Sequence, residues 1–273
     1  TDFGLIEALR GARPGQPDLE LVHRLDRDTS GCLLVAKRRA ALRDLHLQLR
    51  EGQTEKHYLA LVCGKWNLGT KRIELALDTD ERRSGERHVA VRAHGKKSVS
   101  TFKPVQFFGN LATLMEVEID TGKTHQIRVH AAHAGHPVAG DDKYGNRIFN
   151  GIFKDYGLKR MFLHSSSLGF TRPGTREPML ASAPLPPELS AVLDTLTRGK
   201  ARAPQDERGK TLKPEGARGP IVAPRVHRPA PVVQAGKPRM GNPRIGGAKP
   251  GLAKGSGPVR GEGRRRARTT GGR

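Results

Sequence analysis

The strongest constraint on folding is how unevenly residue types are distributed along the 273-residue chain. Residues 201–273 contain 14 Gly, 10 Pro and 18 Lys or Arg, with no Phe, Trp or Tyr. A segment without large apolar side chains cannot bury enough surface to offset its conformational entropy. We therefore expect a folded domain over 1–197, which ends after the amphipathic run PELSAVLDTL, and a disordered basic tail over 198–273.

Charge and cysteine content restrict the class of protein. The formal net charge is +22, of which residues 201–273 carry +14. Chains this basic bind nucleic acid or anionic membranes, and no apolar run approaches the roughly 20 residues of a membrane span. Cys32 and Cys63 lie in separate apolar runs, so neither a disulfide framework nor a thiolate zinc site is expected. The sequence predicts a cytoplasmic protein with a nucleic-acid partner and no membrane contact.

Hydrophobic periodicity predicts a mixed α and β domain. Three helices are predicted, over FGLIEALRGARPG, RAALRDLHLQLREG and THQIRVHAAHAG. Strands are predicted over LELVHRL, CLLVAK, HYLALVCG, KRIELAL, HVAVRA, KSVSTFKPVQFFG, LATLMEVEI and MFLHSSSLGF. Because these strands follow one another in runs, the pattern favours an α+β fold with a largely antiparallel sheet and flanking helices.

The segment HRLDRDTSG, residues 23–31, places charged side chains between two apolar runs. Asp26 follows the first run, and an ionised carboxylate can act as a nucleophile or a base. Arg24 precedes it by two positions, which is the same face of a strand. Structural salt bridges at a strand end would give the same pattern, so the residues alone leave both interpretations open.

A second group of polar residues lies in DTGKTHQIRVH, residues 120–130. Thr124 is predicted as the N-cap of the helix, and His125 and Arg128 would share one helix face. An arginine at this place can hold a carboxylate or a phosphate through two hydrogen bonds. The histidines in and after this helix do not have zinc-ligand spacing, so no metal site is expected.

Four segments together resemble the RluA-type pseudouridine synthases over about residues 3–190. They are HRLDRDTSG, EKHYLALVCGKW, TGKTHQIRVHAAHAGHPVAGDDKYG and FLHSSSLGF. The resemblance implies the pseudouridine synthase fold, a central RNA-binding cleft, and isomerisation of specific uridines to pseudouridine in 23S ribosomal RNA. It further implies a monomer that uses no cofactor and no metal.

The resemblance also implies roles for individual residues. Asp26 would be the catalytic nucleophile or base, Arg128 would pair with it, and Tyr58 would stack near the uracil and take part in the final proton transfer. From the residues alone, Tyr58 would be an ordinary half-buried strand tyrosine. Arg24 would occupy the place of the displaced base. Contacts with the substrate or RNA are expected at His23, Arg24, Thr29, Lys123, His125, Gln126 and Leu163.

Two features of such enzymes are absent from the sequence. These are a leading strand followed by a Lys-Pro element, and a small S4-type RNA-binding domain before the catalytic domain. The chain also starts at Thr1 and not at Met. We therefore expect the domain over 1–197 to be N-terminally incomplete.

Two other classes of protein fit part of the sequence. In a HAD-like phosphatase, Asp26 would accept the phosphoryl group, Asp28 would be the general acid, and Asp141 and Asp142 would bind Mg²⁺. That fold needs alternating strands and helices, and it leaves DTGKTHQIRVH without a role. In a non-catalytic RNA-binding protein, Asp26 and Arg128 would form only a buried ion pair.

Overall fold

A single antiparallel array of seven strands forms the centre of the computed structural model, which describes residues 4–81, 87–199, 204–205 and 209–214. An eighth, two-residue strand joins one member of the array from the side. Two further short strands form a separate ladder. The strands are β1 (Glu20–Leu21), β2 (Ser30–Gly31), β3 (Val35–Ala36), β4 (Glu55–Cys63), β5 (Lys71–Glu81), β6 (Arg87–Val91), β7 (Lys96–Phe108), β8 (Ala112–Ile119), β9 (Leu163–Thr171) and β10 (Pro178–Ser182).

The strand order of the large sheet is β10-β9-β4-β8-β7-β5-β6. Each neighbouring pair in this path is antiparallel, and only β2 joins in parallel, alongside β9. The prediction of a largely antiparallel α+β fold is confirmed. Because β4 lies between β8 and β9, its side chains reach the centre of both faces of the sheet.

The described residues form five helices. They are α1 (Leu5–Ala12), α2 (Arg39–Arg50), α3 (Gln126–His133), α4 (Arg147–Asp155) and α5 (Pro187–Arg198). Three of them lie where helical periodicity predicts helices, and α5 coincides with the amphipathic run PELSAVLDTL. The sequence patterns do not predict α4 or β10.

The alternation along β4 divides the core into two halves. Tyr58, Ala60 and Val62 belong to the cluster that packs against α3. On the other face, Leu61 and Cys63 pack with apolar side chains of α4 and α5. From Ala60 to Cys63 the strand is buried on both faces, and Tyr58 lies two residues before this buried part.

The two strands predicted around HRLDRDTSG are much shorter than expected. The run LELVHRL forms a strand only at Glu20–Leu21, and CLLVAK only at Val35–Ala36, where the two pair. The prediction that Asp26 ends a long strand, with Arg24 on the same face, is wrong. The chain between these short strands turns away from their ladder, and it joins the large sheet through β2 beside β9.

A short part of the predicted tail is among the described residues. Gln205 and Thr211 form an isolated antiparallel bridge, and Pro214 is buried against Gly64. These contacts involve only a small part of the predicted tail, and the disorder of the tail stays a prediction. The rest of the predicted tail, residues 200–203, 206–208 and 215–273, lies outside the described residues.

Cys32 and Cys63 are free and buried, as predicted. Within the described ranges, no helix is both long enough and apolar enough to cross a bilayer.

Candidate active site

The loop that carries Asp26 is tied to the sheet at its C-terminal end. The Thr29 amide donates to the Asp26 carbonyl at 2.9 Å, which closes a turn. Ser30 and Gly31 then pair in parallel with His164 and Ser165 of β9. Gly31 has a φ of 111°, and a side chain there would overlap the Ser165 backbone. Only glycine allows this close approach, so Gly31 sets how near the Asp26 loop lies to β9.

Arg160 provides a second attachment for this loop. Its guanidinium donates to the Asp28 carbonyl at 3.1 Å and to Ser30 Oγ at 2.9 Å. It also pairs with Glu188 at 3.1 Å, at the start of α5. Sequence reasoning did not identify Arg160, because it lies about 130 positions away from the loop that it holds.

Asp26 faces a fixed guanidinium on α3. Arg128 Nη1 donates to Asp26 Oδ2 at 3.1 Å, and the side chains are 11% and 19% exposed. The pair that the family resemblance implies is therefore present. Burial lowers the pKa of Arg128, but hydrogen bonds and charge from Asp141 and Asp26 outweigh it and raise the pKa overall. Arg128 is thus a permanent cation that orients the Asp26 carboxylate.

Asp141 holds the other side of the Arg128 guanidinium. Arg128 Nε donates to Asp141 Oδ2 at 2.7 Å, and Nη2 donates to Asp141 Oδ1 at 2.9 Å. The Asp141 side chain is fully buried, and its Oδ1 also accepts from the Lys143 and Tyr144 amides. This two-bond geometry leaves the guanidinium one free edge, which faces Asp26. The GDDKYG segment was the only sequence signal for this role.

The same geometry contradicts the phosphatase interpretation. Both Asp141 oxygens are engaged by Arg128, so they are not available as Mg²⁺ ligands. Asp28, the proposed general acid, is exposed, and its backbone carbonyl accepts a hydrogen bond from Arg160. Within the described part of the chain, no group of three or more His, Cys, Asp or Glu could hold a metal ion. The antiparallel sheet is also not the alternating fold that a HAD-like enzyme requires.

His125 faces the other oxygen of Asp26. Its Nε2 lies 4.0 Å from Asp26 Oδ1, and its Nδ1 lies 2.8 Å from the Tyr144 hydroxyl. That hydroxyl also accepts from the Val89 amide at 2.9 Å. Burial and the Arg128 charge lower the pKa of His125 to about 4. At neutral pH, a neutral imidazole therefore lies beside the Asp26 carboxylate.

Helix α3 begins differently from the prediction. His125, and not Thr124, is the N-cap, with a left-handed φ of 53° and no capping side-chain bond. Gln126 organises the preceding turn instead, because its Oε1 accepts from Thr121 Oγ1 and from the Lys123 amide. A side chain one residue into the helix thus replaces the expected threonine cap. Its Nε2 donates to Val99 and Ser100 of β7, so the Gln126 amide is fully used within the protein.

A pocket of about 110 Å³ opens over Asp26. Its lining contains nine of the ten predicted site residues: Arg24, Asp26, Thr29, Tyr58, Lys123, His125, Gln126, Arg128 and Leu163. They come from the Asp26 loop, β4, β9 and the start of α3. Segments as distant in sequence as Asp26 and Leu163 thus line one small pocket, and the antiparallel neighbours β4 and β9 supply its apolar wall.

Tyr58 is the aromatic side chain of this pocket and is 9% exposed. Burial raises its pKa, a hydrogen bond with the Ser165 side chain opposes this shift, and the charge of Asp26 adds to it. The phenol is therefore neutral at physiological pH. It can stack on a planar ring or donate a hydrogen bond, and it would need to lose its own proton before acting as a base.

The remaining predicted residues differ in exposure. Arg24 and Lys123 are exposed at the mouth of the pocket. Thr29 Oγ1 is buried without a hydrogen-bond partner among the described residues. His23 does not line this pocket, but it lines an adjoining cavity, and its Nε2 accepts from the Leu34 amide at 3.1 Å. Burial lowers the pKa of His23.

Behind the pocket, the imidazole of His130 is buried and hydrogen-bonded through one ring nitrogen. The Ser98 hydroxyl donates to the Leu75 carbonyl, so His130 Nε2 donates to Ser98 Oγ and Nδ1 is unprotonated. Nδ1 is buried and has no partner among the described residues. Burial, together with the charge of His133, lowers the pKa of His130 to about 4.

Acid should therefore destabilise the fold through His130. An unfolded histidine titrates near pH 6.5, so between pH 6.5 and about 4 the unfolded chain binds the extra proton. The stabilising contribution is complete above pH 6.5 and is lost towards pH 4. The free energy of unfolding is measured by urea denaturation at a series of pH values. Between pH 6.5 and about 4, His130→Leu should reduce its slope against pH by up to about 1.4 kcal/mol per pH unit. The exposed His46→Leu variant is the control, and equal slopes in wild type and His130→Leu would contradict this account.

Comparison with known proteins shows which family the chain is similar to. The model of the RNA pseudouridylate synthase family matches residues 6–133. Ribosomal large subunit pseudouridine synthase C of Pasteurella multocida (strain Pm70) is 50% identical over 199 residues, which is 73% of this chain and 61% of the relative. The protein of the same name from Escherichia coli (strain K12) is 50% identical over 200 residues, which is 72% of this chain and 62% of the relative.

A solved structure agrees with the sequence relatives. Human RNA Pseudouridylate Synthase Domain Containing 1 superposes with a TM-score of 0.57 and 25% identity, covering 71% of this chain and 86% of the human chain. The chain spans 61–62% of the length of the two curated relatives described above. The family model, the sequence relatives and the fold agree, and the chain belongs to the RNA pseudouridylate synthase family.

Proposed function

We propose that this chain isomerises specific uridines to pseudouridine in large-subunit ribosomal RNA. The observation that carries the proposal is the Asp26 carboxylate, held by Arg128 at 3.1 Å in a pocket that also contains Tyr58 and Leu163. The names of the relatives support the RNA class, since each is a ribosomal large subunit pseudouridine synthase. The basic net charge of +22 supports binding to a polyanion.

The proposed reaction rearranges the nucleoside without consuming a co-reactant. The N1–C1′ glycosidic bond breaks, the uracil turns, C5 bonds to C1′, and the C5 proton is exchanged for one on N1. Asp26 either attacks C1′ to form an ester that C5 later displaces, or removes the 2′ proton to give a glycal. Both routes need an oriented carboxylate, and the hydrogen bond from Arg128 orients that of Asp26.

Other residues of the pocket would bind the displaced nucleotide. Taking a uridine out of a stack costs a few kcal/mol, and the exposed Arg24 can offset part of this by filling the gap. Tyr58 and the buried Leu163 would enclose the uracil ring between an aromatic and an aliphatic surface. Lys123 would bind the backbone at the mouth of the pocket.

We also propose that the chain acts as a cytoplasmic monomer. The two free, buried thiols support a reducing compartment. Light scattering of the purified chain tests the oligomeric state, and a dimer mass would contradict this part of the proposal.

Tritium release from RNA made with 5-³H-uridine tests the reaction directly, because C5 loses its proton only if the new bond forms. The wild-type chain should release tritium from large-subunit rRNA fragments. EDTA should not suppress release from a short stem-loop substrate whose folding needs no magnesium. No release from any large-subunit fragment would leave a non-catalytic RNA-binding protein as the better account.

A further inference from the structure

A second cavity adjoins the pocket over Asp26. Its volume is about 500 Å³, and it shares Arg24, Tyr58 and Lys123 with the smaller pocket. Arg50 and Lys56 also line it. We call it the lysine chamber. Because it continues the pocket that would receive the uridine, an RNA strand entering that pocket would pass through it or beside it.

Lys56 is the unusual group in this chamber. The residue is only 6% exposed, although lysine is rarely buried without a charged partner. Its Nζ donates to Thr54 Oγ1 at 3.1 Å, and among the described residues it makes no other hydrogen bond and no salt bridge. Burial lowers the pKa of Lys56, and the charge of Asp120 opposes this shift. An ammonium group has three donors, so the geometry leaves donor capacity unused in a desolvated place.

The carboxylates of the chamber already have other partners. Asp120 pairs with Arg72 at 2.9 Å, and Glu51 accepts from Gln53 Nε2 at 2.9 Å. The chamber is lined by more cations than carboxylates, and the cations are Arg24, Arg50, Lys56 and Lys123. A cavity with this balance attracts an anion, and the low dielectric around Lys56 strengthens the attraction.

We propose that the lysine chamber binds a backbone phosphate of a nucleotide next to the target uridine, with Lys56 Nζ as its donor. This inference rests on the proposed function, because it takes RNA as the ligand. A phosphodiester suits the site chemically: it carries one full negative charge and has oxygen acceptors for the free ammonium donors. It is also joined covalently to the uridine, so the two groups would occupy adjoining cavities such as these.

The proposal predicts that Lys56→Met weakens RNA binding without harming the fold. Methionine keeps an unbranched apolar side chain and removes only the charged donor. The dissociation constant for a target stem-loop should rise about tenfold, as expected for one charged hydrogen bond. The slope of log affinity against log salt should become shallower by about 0.7, since one phosphate contact in a single strand is lost. Lys154→Met, an exposed lysine on α4, should change neither quantity beyond a small uniform effect.

A chemical probe locates the phosphate and does not depend on the variant folding. A stem-loop series carries one neutral methylphosphonate linkage at successive positions around the uridine. One linkage adjacent to the uridine should weaken wild-type binding about tenfold, and the same linkage should have no further effect on Lys56→Met. If no adjacent linkage matters to the wild type, or if the effects of linkage and variant simply add, the proposal is wrong.

Thermal melting separates this role from a structural one. Removing a buried cation that lacks a carboxylate partner should leave the melting temperature unchanged or raise it. A lower melting temperature with unchanged RNA affinity would overturn the proposal. The binding assay needs no turnover. If Lys56→Met binds RNA as tightly as the wild type while tritium release is normal, only the phosphate site is refuted. A clear Lys56 effect without any wild-type tritium release refutes the enzymatic function instead and supports the phosphate site.

Discussion

Asp26→Asn should reduce pseudouridine formation at least about a thousandfold, the scale of loss when a nucleophile or general base is removed. Asparagine keeps the size and can still accept a hydrogen bond from Arg128. It lacks the charge that either route of the reaction needs. Tritium release from 5-³H-uridine RNA under single-turnover conditions is the measurement.

Two controls make the Asp26 result specific. RNA affinity of Asp26→Asn should stay within a few-fold of wild type, because binding depends mainly on lysines and arginines. Asp28→Asn should retain most activity, since that side chain is exposed and only its backbone carbonyl contacts Arg160. Wild-type rates of release by Asp26→Asn would show that the carboxylate has no chemical role.

Asp141→Asn should lower the free energy of unfolding by about 3–5 kcal/mol, the cost of breaking a buried ion pair by removing one charge. The Asp141 side chain is fully buried and accepts two hydrogen bonds from the 11%-exposed Arg128. An amide at this place would set an N–H against the guanidinium. Urea denaturation near pH 7.5 measures the change.

The same variant should also lose activity, because Arg128 would no longer be held towards Asp26. Asp142→Asn provides the matched control, as it is the neighbouring, exposed carboxylate of the same segment. A Mg²⁺ site would require both aspartates, whereas the ion-pair network requires only Asp141. Equal effects of the two substitutions on stability and activity would contradict the structural account of Asp141.

Local patterns in the sequence determined most of the sheet. The alternation of HYLALVCG correctly predicts β4 with apolar side chains on both faces, because a period of two directly reports which face a strand residue occupies. Helix α2 follows from its apolar spacing in the same way. These signals are local, so they needed no knowledge of the rest of the fold. The motifs around Asp26 and Arg128 were also sufficient to indicate the family.

Local patterns failed where long-range contacts override them. The run LELVHRL reads as a strand, yet beyond Leu21 it becomes a loop. This loop is tied at Gly31 to β9, more than 130 positions later in the chain. The predicted N-cap of α3 was wrong for a similar reason. Gln126 is held by Val99 and Ser100 of β7, and its side chain organises the turn before the helix. Pairing partners at such separations leave no periodic signal in either segment.

The sequence by itself determined the antiparallel α+β class, the free buried thiols, and the identity of the residues around Asp26. Only the tertiary structure decided what fixes them: Asp141 behind Arg128, Arg160 under the Asp26 loop, and the buried Lys56 beside the pocket. The physical reason is that a residue's type records which chemistry it can perform. Its charge partner, and its separation from water, depend on which distant segments the folded sheet brings to the same place.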